Sequence, residues 1–166
     1  MKRALQAVFL ALALAALAQG LWQHSRLPER VMSHFDFSGR ANGWMSRDAF
    51  LGWQAGTLLF LTALLEGIVL LQPRLPREFI NLPHRDSWLA PGRRAATDAW
   101  ISALVLLPGC LVLLFFMALF HQVYRANVAG ARGLTPNPGW LGAALVLAVI
   151  GLIAAILARF ARNPAA

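Results

Sequence analysis

The sequence is poor in charge and in reactive side chains. Only 13% of its 166 residues are charged and only 7 are acidic, whereas 58% are hydrophobic. Such a composition is too apolar for an ordinary soluble domain of this size. Cys110 is the sole cysteine, so an intrachain disulfide is excluded, and its place within an apolar run favours an inert thiol.

Motifs of known enzyme classes are missing as well. The chain has no P-loop, no dinucleotide-binding glycine pattern, no G-x-S-x-G, and no serine or cysteine nucleophile with an ordered base. Too few polar residues remain inside the apolar runs to assemble an intramembrane active site. We therefore predict a protein that is not an enzyme and that uses no cofactor.

What the sequence does contain is four long apolar runs, Ala4–Leu21, Phe50–Leu71, Ile101–Phe120 and Leu141–Leu157. Each is close to the roughly 17–25 residues that a helix needs to cross the hydrocarbon core of a bilayer. The runs predict an all-α integral membrane protein, a bundle of four transmembrane helices at about residues 4–22, 50–71, 99–122 and 140–159.

The first run permits a second interpretation. Lys2 and Arg3 precede an apolar stretch that ends in Ala16-Leu17-Ala18, which has the form of a secretory cleavage site. We favour a retained helix, because the apolar character continues to Trp22 and three more helices must be inserted in either case.

The arginines and lysines predict an orientation, because positive residues that flank membrane spans are retained in the cytoplasm. Nine of the fifteen lie on the side of the termini and the 72–98 loop, and six lie on the other side. Both termini are therefore predicted to be cytoplasmic, and the 23–49 loop extracytoplasmic. This topology accounts for the net charge of +8, so the predicted partner is the lipid bilayer and not nucleic acid.

Aromatic and small residues predict how the helices are placed. Tryptophans and a tyrosine mark the outer ends of the runs (Trp22, Trp53, Tyr124, Trp140), and Trp88 and Trp100 mark the inner face. Stripes of small residues predict the helix contact faces. They are Ala4, Ala7, Ala11, Ala15 and Ala18; Gly52, Gly56, Ala63 and Gly67; and Ala144, Ala148, Gly151, Ala155 and Ala158. Pro108-Gly109 predicts a kink in the third helix.

Glu66 is the ionisable residue that stands inside a span, roughly 7–8 Å from its inner boundary at the helical rise. An intramembrane carboxylate is by default a functional hypothesis, such as a proton relay. The alternative is a static ion pair with Arg93 or Arg94, with Asp98 completing a local charge cluster. The sequence leaves both open.

The 23–49 loop carries more strand and turn signals than a flexible linker. His34 and Asp36 alternate with Phe35 and Phe37, which predicts a short extended piece with the two polar residues on one side and the two Phe on the other. Turn signals follow at Ser38-Gly39 and Asn42-Gly43, where left-handed backbone angles suit glycine. Ser46 is expected to cap the second helix, with Asp48 in its first turn. We predict a folded cap whose candidate binding residues are His34, Asp36, Gly39 and Trp44.

A metal site is the weaker alternative for the same side of the protein. His24, His34, Asp36 and His121 all fall there and are competent zinc or copper ligands. No H-x-x-x-H, C-x-x-C or H-E-x-x-H spacing supports that assignment, so we expect His34 to form a hydrogen bond within the cap instead.

The loop also carries a resemblance. Leu27-Pro28, His34 with the aromatic after it, Gly39, and Gly43-Trp44 followed by Arg47 resemble the element known as domain of unknown function 1648, which follows the first membrane helix in the SdpI-type immunity protein family. Val31-Met32, Ala41-Asn42 and Arg47 stand where that pattern usually has Ile-Pro, Pro-Asp and Lys. The inner stretch from Asn81 to Pro91, with Arg93 and Arg94, is similar to the inner loop of small four-helix relatives.

The resemblance implies a multi-pass protein of the bacterial cytoplasmic membrane, similar to immunity or signalling proteins that bind an envelope-active toxin or its regulator. Two function classes follow. In the first, the outer loop recognises a peptide, a toxin or a membrane-protein partner. In the second, the chain is a small carrier or channel component that uses Glu66 and the Pro108 kink, or an accessory subunit of a larger membrane complex.

Overall fold

A computed structural model describes residues 1–162 of the chain. Its helices and strands, in chain order, are α1 Lys2–His24, β1 Arg30–Phe35, β2 Ala41–Ser46, α2 Arg47–Leu71, α3 Arg85–Trp88, α4 Arg94–Val128 and α5 Gly139–Phe160. Two short 3-10 turns, Gln72–Arg74 and Arg77–Phe79, lie between α2 and α3.

Four of the helices, α1, α2, α4 and α5, are long and apolar enough to cross a membrane. Their number and order are those that the apolar runs predict. α4 is longer than predicted, since it begins at Arg94 and continues to Val128, where Val123, Ala126 and Asn127 are still buried. Pro108 lies inside this continuous helix, where it lacks the N–H that would bond the carbonyl four residues earlier.

The core is built around α1, which packs against both α2 and α4. Phe9 from α1, Leu58 from α2, and Leu106 and Leu113 from α4 are fully buried there. Gly109 permits the close approach of these helices, because a Cβ at that position would lie 2.7 Å from Leu65 Cδ1 and 3.0 Å from the Phe9 ring. α5 packs against α4.

The contact face predicted for α1 from its small residues is wrong, and the predicted glycines of α2 and α5 do not pack closely against another helix. All five alanines of the α1 stripe are exposed, and α1 instead buries Phe9, Ala13, Ala16, Gly20 and Gln23. A Cβ at Gly52, Gly56, Gly67 or Gly151 would meet no atom within 4 Å. Large apolar side chains fill the interior because a close-packed core leaves few voids. The small residues lie mainly on the outer faces of the helices.

The chain is mostly helical, as the prediction of an all-α protein requires, but residues 30–46 depart from it. β1 and β2 form an antiparallel two-stranded sheet that connects α1 to α2. The pairing runs from Arg30 opposite Ser46 to Phe35 opposite Ala41, with irregular register on both sides of His34. We call this element the hairpin.

The helices thus have two distinct ends. The hairpin end carries the hairpin and the loop of residues 129–138 that joins α4 to α5, here called the α4–α5 loop. The terminal end carries the start of α1, residues 72–93 and the end of α5, since Lys2 Nζ donates to the Val69 carbonyl and Trp88 Nε1 donates to that of Phe160.

A small apolar cluster closes the terminal end. Trp88, Ile156 and Phe160 are its buried members, and the rings of Trp88 and Phe160 meet edge to face with centroids 5.2 Å apart. Thr97 Oγ1 donates to the Trp88 carbonyl at 2.7 Å. Trp88 is therefore a packing residue of the terminal end. The Arg159 guanidinium lies 4.2 Å from the ring centroid of Trp100.

Candidate functional site

The tip of the hairpin is a turn organised by one carboxylate. Asp36 Oδ1 accepts hydrogen bonds from the Ser38 backbone N–H, the Ser38 hydroxyl and the Arg40 backbone N–H, at 2.8, 2.7 and 2.9 Å. Gly39 completes the turn with a φ of +82°, as predicted. The Ser38 hydroxyl, and then the Arg40 N–H, hold the pKa of Asp36 below its usual value of 3.8. Asp36 is thus the residue that shapes the turn.

This turn separates the two phenylalanines. Phe35 packs against the main core, whereas the Phe37 side chain is fully exposed, at 104% of its reference area. The predicted extended piece that would place both Phe on one side is wrong, because β1 ends at Phe35 and the chain then enters the Asp36 turn. Phe37 is consequently held out at the hairpin tip, on a backbone that is fixed on both sides.

The α4–α5 loop supports the tip from a distant part of the chain. Leu134 N–H donates to the Gly39 carbonyl at 2.8 Å, and Asn137 Nδ2 donates to the Phe37 carbonyl at 2.7 Å. Arg40 and Gly133 form an isolated antiparallel bridge. A Cβ at Gly133 would lie only 2.3 Å from the Gly39 carbonyl oxygen. The sequence analysis missed this contribution, and the one local signal was a loop rich in Gly, Asn and Pro.

Asn127 joins the hairpin to α4. Its Oδ1 accepts the Met32 N–H at 2.7 Å, and its Nδ2 donates to the carbonyls of Met32 at 3.1 Å and Val123 at 2.9 Å. The side chain is buried, at 9% exposure. The Asn127 amide thus bonds both the N–H and the C=O of Met32, as the backbone of a neighbouring strand would. Sequence reasoning missed Asn127, although an asparagine between buried positions of a helix was a usable signal.

His34 and Trp44 lie on the exposed part of the hairpin. His34 Nδ1 contacts Asn42 Oδ1, which agrees with the expected hydrogen bond within the cap. The turn predicted at Asn42-Gly43 is wrong, because both residues lie within β2 and Gly43 has no positive φ. A side chain at position 43 is disfavoured because its Cβ would lie 2.9 Å from His34 Cβ. Trp44 is 49% exposed and carries the Arg30 guanidinium 5.5 Å from its ring centroid.

The potential metal ligands are not brought together. His24 Nε2 contacts Asp48 Oδ1 at 2.6 Å, which ties the end of α1 to the start of α2, while His34 is engaged by Asn42. His121 lies beside Gln23, 3.4 Å from its Nε2. Across residues 1–162 no group of three or more His, Cys, Asp or Glu side chains is arranged to hold a metal ion.

Ser46 caps α2 as predicted, accepting from the Ala49 N–H at 3.1 Å.

Glu66 is held by a glutamine and not by an arginine. Gln6 Nε2 donates to Glu66 Oε2 at 2.8 Å, and Glu66 Oε1 is buried without a hydrogen-bond partner among the described residues. The predicted ion pair with Arg93 or Arg94 is wrong. Arg94 instead pairs with Asp98 one turn later, with Nε 3.1 Å from Oδ1, and Gln72 Nε2 donates to the same oxygen at 2.8 Å. Arg93 is exposed and precedes α4.

A cavity of about 220 Å³ adjoins the hairpin support. It lies between the end of α4 and the α4–α5 loop, and its wall includes Gln122, Arg125, Gly133 and Thr135. Because Asn137 of the same loop bonds the Phe37 carbonyl, this cavity and the exposed ring belong to one surface, here called the hairpin surface.

Part of this surface belongs to a segment that matches a known protein family model. Residues 11–57 match the family model of a domain of unknown function, DUF1648. No curated protein and no solved structure matches the chain. The DUF1648 segment contains most of α1, the whole hairpin and the first turns of α2, and it agrees with the resemblance seen in the sequence. The α4–α5 loop and Asn127, which fix the hairpin, lie outside it.

Proposed function

We propose that the protein is a recognition module of the bacterial cytoplasmic membrane, of the immunity or signalling type that the SdpI-type resemblance implies. In this proposal α1, α2, α4 and α5 form a transmembrane bundle, both termini face the cytoplasm, and the hairpin surface faces outward. The nine-to-six distribution of Arg and Lys between the two ends supports that orientation.

The observation that carries the proposal is the presentation of Phe37. Exposing a whole aromatic side chain to water is unfavourable, yet the backbone around Phe37 is held by Asp36, Gly39, Leu134 and Asn137. A ring fixed before binding loses little conformational entropy when a partner covers it. Aromatic side chains placed in this way are typical energetic centres of protein interfaces.

The surroundings of Phe37 indicate the chemistry of the partner. Six arginines lie at the hairpin end (Arg26, Arg30, Arg40, Arg47, Arg125 and Arg132), against three acidic residues, Glu29, Asp36 and Asp48. The surface therefore complements a peptide or membrane protein that offers an apolar pocket together with acidic groups.

Site-specific photocrosslinking tests this proposal. A photoreactive phenylalanine analogue at Phe37 should give a discrete protein or peptide adduct in intact cells. The same analogue at Phe79, which is 76% exposed at the terminal end, is the matched control and should not give that adduct. Phe37→Ala should then abolish binding of the identified partner while leaving the thermal unfolding of the protein unchanged. Identical adducts at both positions, or none at Phe37, would refute recognition through the tip.

The orientation needs its own test. In a Cys110→Ala background, Ser38→Cys should react with a membrane-impermeant maleimide added to intact cells, whereas Ser87→Cys should react only after lysis. The reverse pattern would place the hairpin in the cytoplasm.

A carrier or channel component is the second candidate. The observation that favours it is that Glu66 Oε1 is buried with no hydrogen-bond partner within residues 1–162. For a recognition module, Glu66→Gln should have no functional effect, because an amide oxygen still accepts from Gln6. For a carrier, the same variant should abolish proton or ion flux in proteoliposomes at unchanged stability. If the protein is an accessory subunit, a larger complex should co-purify with it. The Phe37→Ala variant should then still co-purify with that complex.

A further inference from the structure

A groove runs between α1 and α2 near the hairpin end. It has a volume of about 360 Å³, within the roughly 300–1,000 Å³ of small-molecule sites. Small residues of both helices, including Ala16, Gly20, Gly52 and Ala55, form much of its wall, with Leu51 and Leu58 adding apolar surface. A Cβ at Gly52 would meet no atom of the described residues within 4 Å, so this wall is open.

One polar side chain in the groove has a hydrogen-bond donor that the described part of the chain leaves unsatisfied. Gln54 is 3% exposed, and its Nε2 has no hydrogen-bond partner among residues 1–162. The amide lies across Gly20, where a Cβ would be 3.1 Å from its Cδ, Nε2 and Oε1. A buried amide donor without an acceptor is costly. This arrangement indicates that an acceptor from outside the chain completes the site.

The polarity along the groove follows a fixed order. Asp48 lies at the mouth with its side chain 80% exposed, Gln54 follows about 9 Å further along α2, and Leu58 lies deepest. Trp53, 53% exposed, marks the depth of Gln54 as that of the membrane interface, where tryptophans collect. The groove thus presents a charged group, then a hydrogen-bond donor, then apolar surface. A phospholipid matches this order with its headgroup, its ester group and its acyl chain.

We propose that this groove binds one phospholipid with a primary-amine headgroup of the phosphatidylethanolamine type. The acyl chain lies deeper than Gln54, along Leu17 and Ala55. The glycerol region occupies the open wall at Gly52, the ester carbonyl accepts from Gln54 Nε2, and the ammonium donates to Asp48. The carboxylate at the mouth disfavours an anionic headgroup, and a choline headgroup has no N–H to donate. The proposal rests on membrane insertion of α1 and α2 and is independent of recognition through Phe37.

Native mass spectrometry of the full-length protein in detergent tests the groove itself. Titration with phosphatidylethanolamine should show one saturable site. Gly52→Leu fills the open wall and should weaken that site about tenfold or more. Gly142→Leu is the matched control, since Gly142 also faces open space near the hairpin end but does not line the groove. Equal affinity of the two variants would overturn the proposal.

The polar contacts are tested separately. Gln54→Leu should weaken binding by about two- to tenfold, the range expected for one neutral hydrogen bond. Asp48→Asn should bring the affinities for phosphatidylethanolamine and phosphatidylcholine close together. His24→Ala also breaks the His24–Asp48 contact but keeps the carboxylate, so it should retain the headgroup preference. Loss of preference in both variants, or equal wild-type binding of phosphatidylglycerol, would overturn the headgroup assignment.

Discussion

The two ends of the helices are held together in different ways. At the hairpin end, backbone groups are bonded across segments far apart in sequence, by the Leu134 N–H to the Gly39 carbonyl and by the side-chain amide of Asn127 to the N–H and C=O of Met32. At the terminal end, side chains make the contacts, with Trp88 against Phe160 and Arg94 with Asp98. Backbone pairing fixes the path of a loop, whereas side-chain packing fixes only the positions of the helices. The hairpin end is therefore the better scaffold for a binding surface.

The largest effect should follow from removing Asn127. Asn127→Leu leaves the N–H and C=O of buried Met32 unpaired, at a cost of roughly 1–3 kcal/mol for each group. Thermal unfolding in detergent should show a lower Tm, and hydrogen exchange should become faster in residues 30–46. Unchanged protection of those residues would show that Asn127 does not anchor the hairpin.

Gly133→Val should separate the α4–α5 loop from the hairpin tip. Its Cβ would meet the Gly39 carbonyl oxygen at 2.3 Å, and relieving such overlap costs about 1–3 kcal/mol. Limited proteolysis should then cut within residues 36–41 faster than in the wild type. Gly142→Ala is the control, and it should resist cleavage as the wild type does. Equal cleavage of wild type and Gly133→Val would contradict the supporting role of the loop.

A matched change at the terminal end should have a smaller and purely local effect. Trp88→Phe keeps an aromatic ring against Phe160 but removes the hydrogen bond from Trp88 Nε1 to the Phe160 carbonyl. Such a hydrogen bond contributes about 1 kcal/mol to stability. We expect a modest drop in Tm with unchanged proteolysis of the hairpin. Faster cleavage at the hairpin would mean that the two ends are coupled.

The smallest expected effect is the acid response of the tip. Because the folded pKa of Asp36 is lowered, its contribution to the turn is present above the ordinary value near 3.8 and is lost as the pH falls through the lower folded value. The amide signals of Ser38 and Arg40 should therefore shift only below pH 3.8 in NMR titrations. In Asp36→Asn that transition should be absent. A midpoint above 3.8 would contradict the hydrogen bonds to the turn.

Local signals predicted most of the elements. The four helices follow from apolar runs long enough to span a bilayer, and the turn at Gly39 and the cap at Ser46 follow from residue chemistry. Small-residue stripes failed because a periodic stripe shows which residues share a face and not which face meets another helix. The pairing of Glu66 with Gln6 was missed because the partner lies sixty residues away along the chain.

By itself the sequence determined the number of apolar helices, their order and the turn at Ser38-Gly39, since each depends on residues close together in the chain. Only the tertiary structure decided that Phe37 is exposed while Phe35 packs against the core, that the α4–α5 loop and Asn127 fix the hairpin, and that Gln54 faces a groove. These outcomes depend on which side chains and backbone groups of distant segments come into contact, and that is set by helix packing.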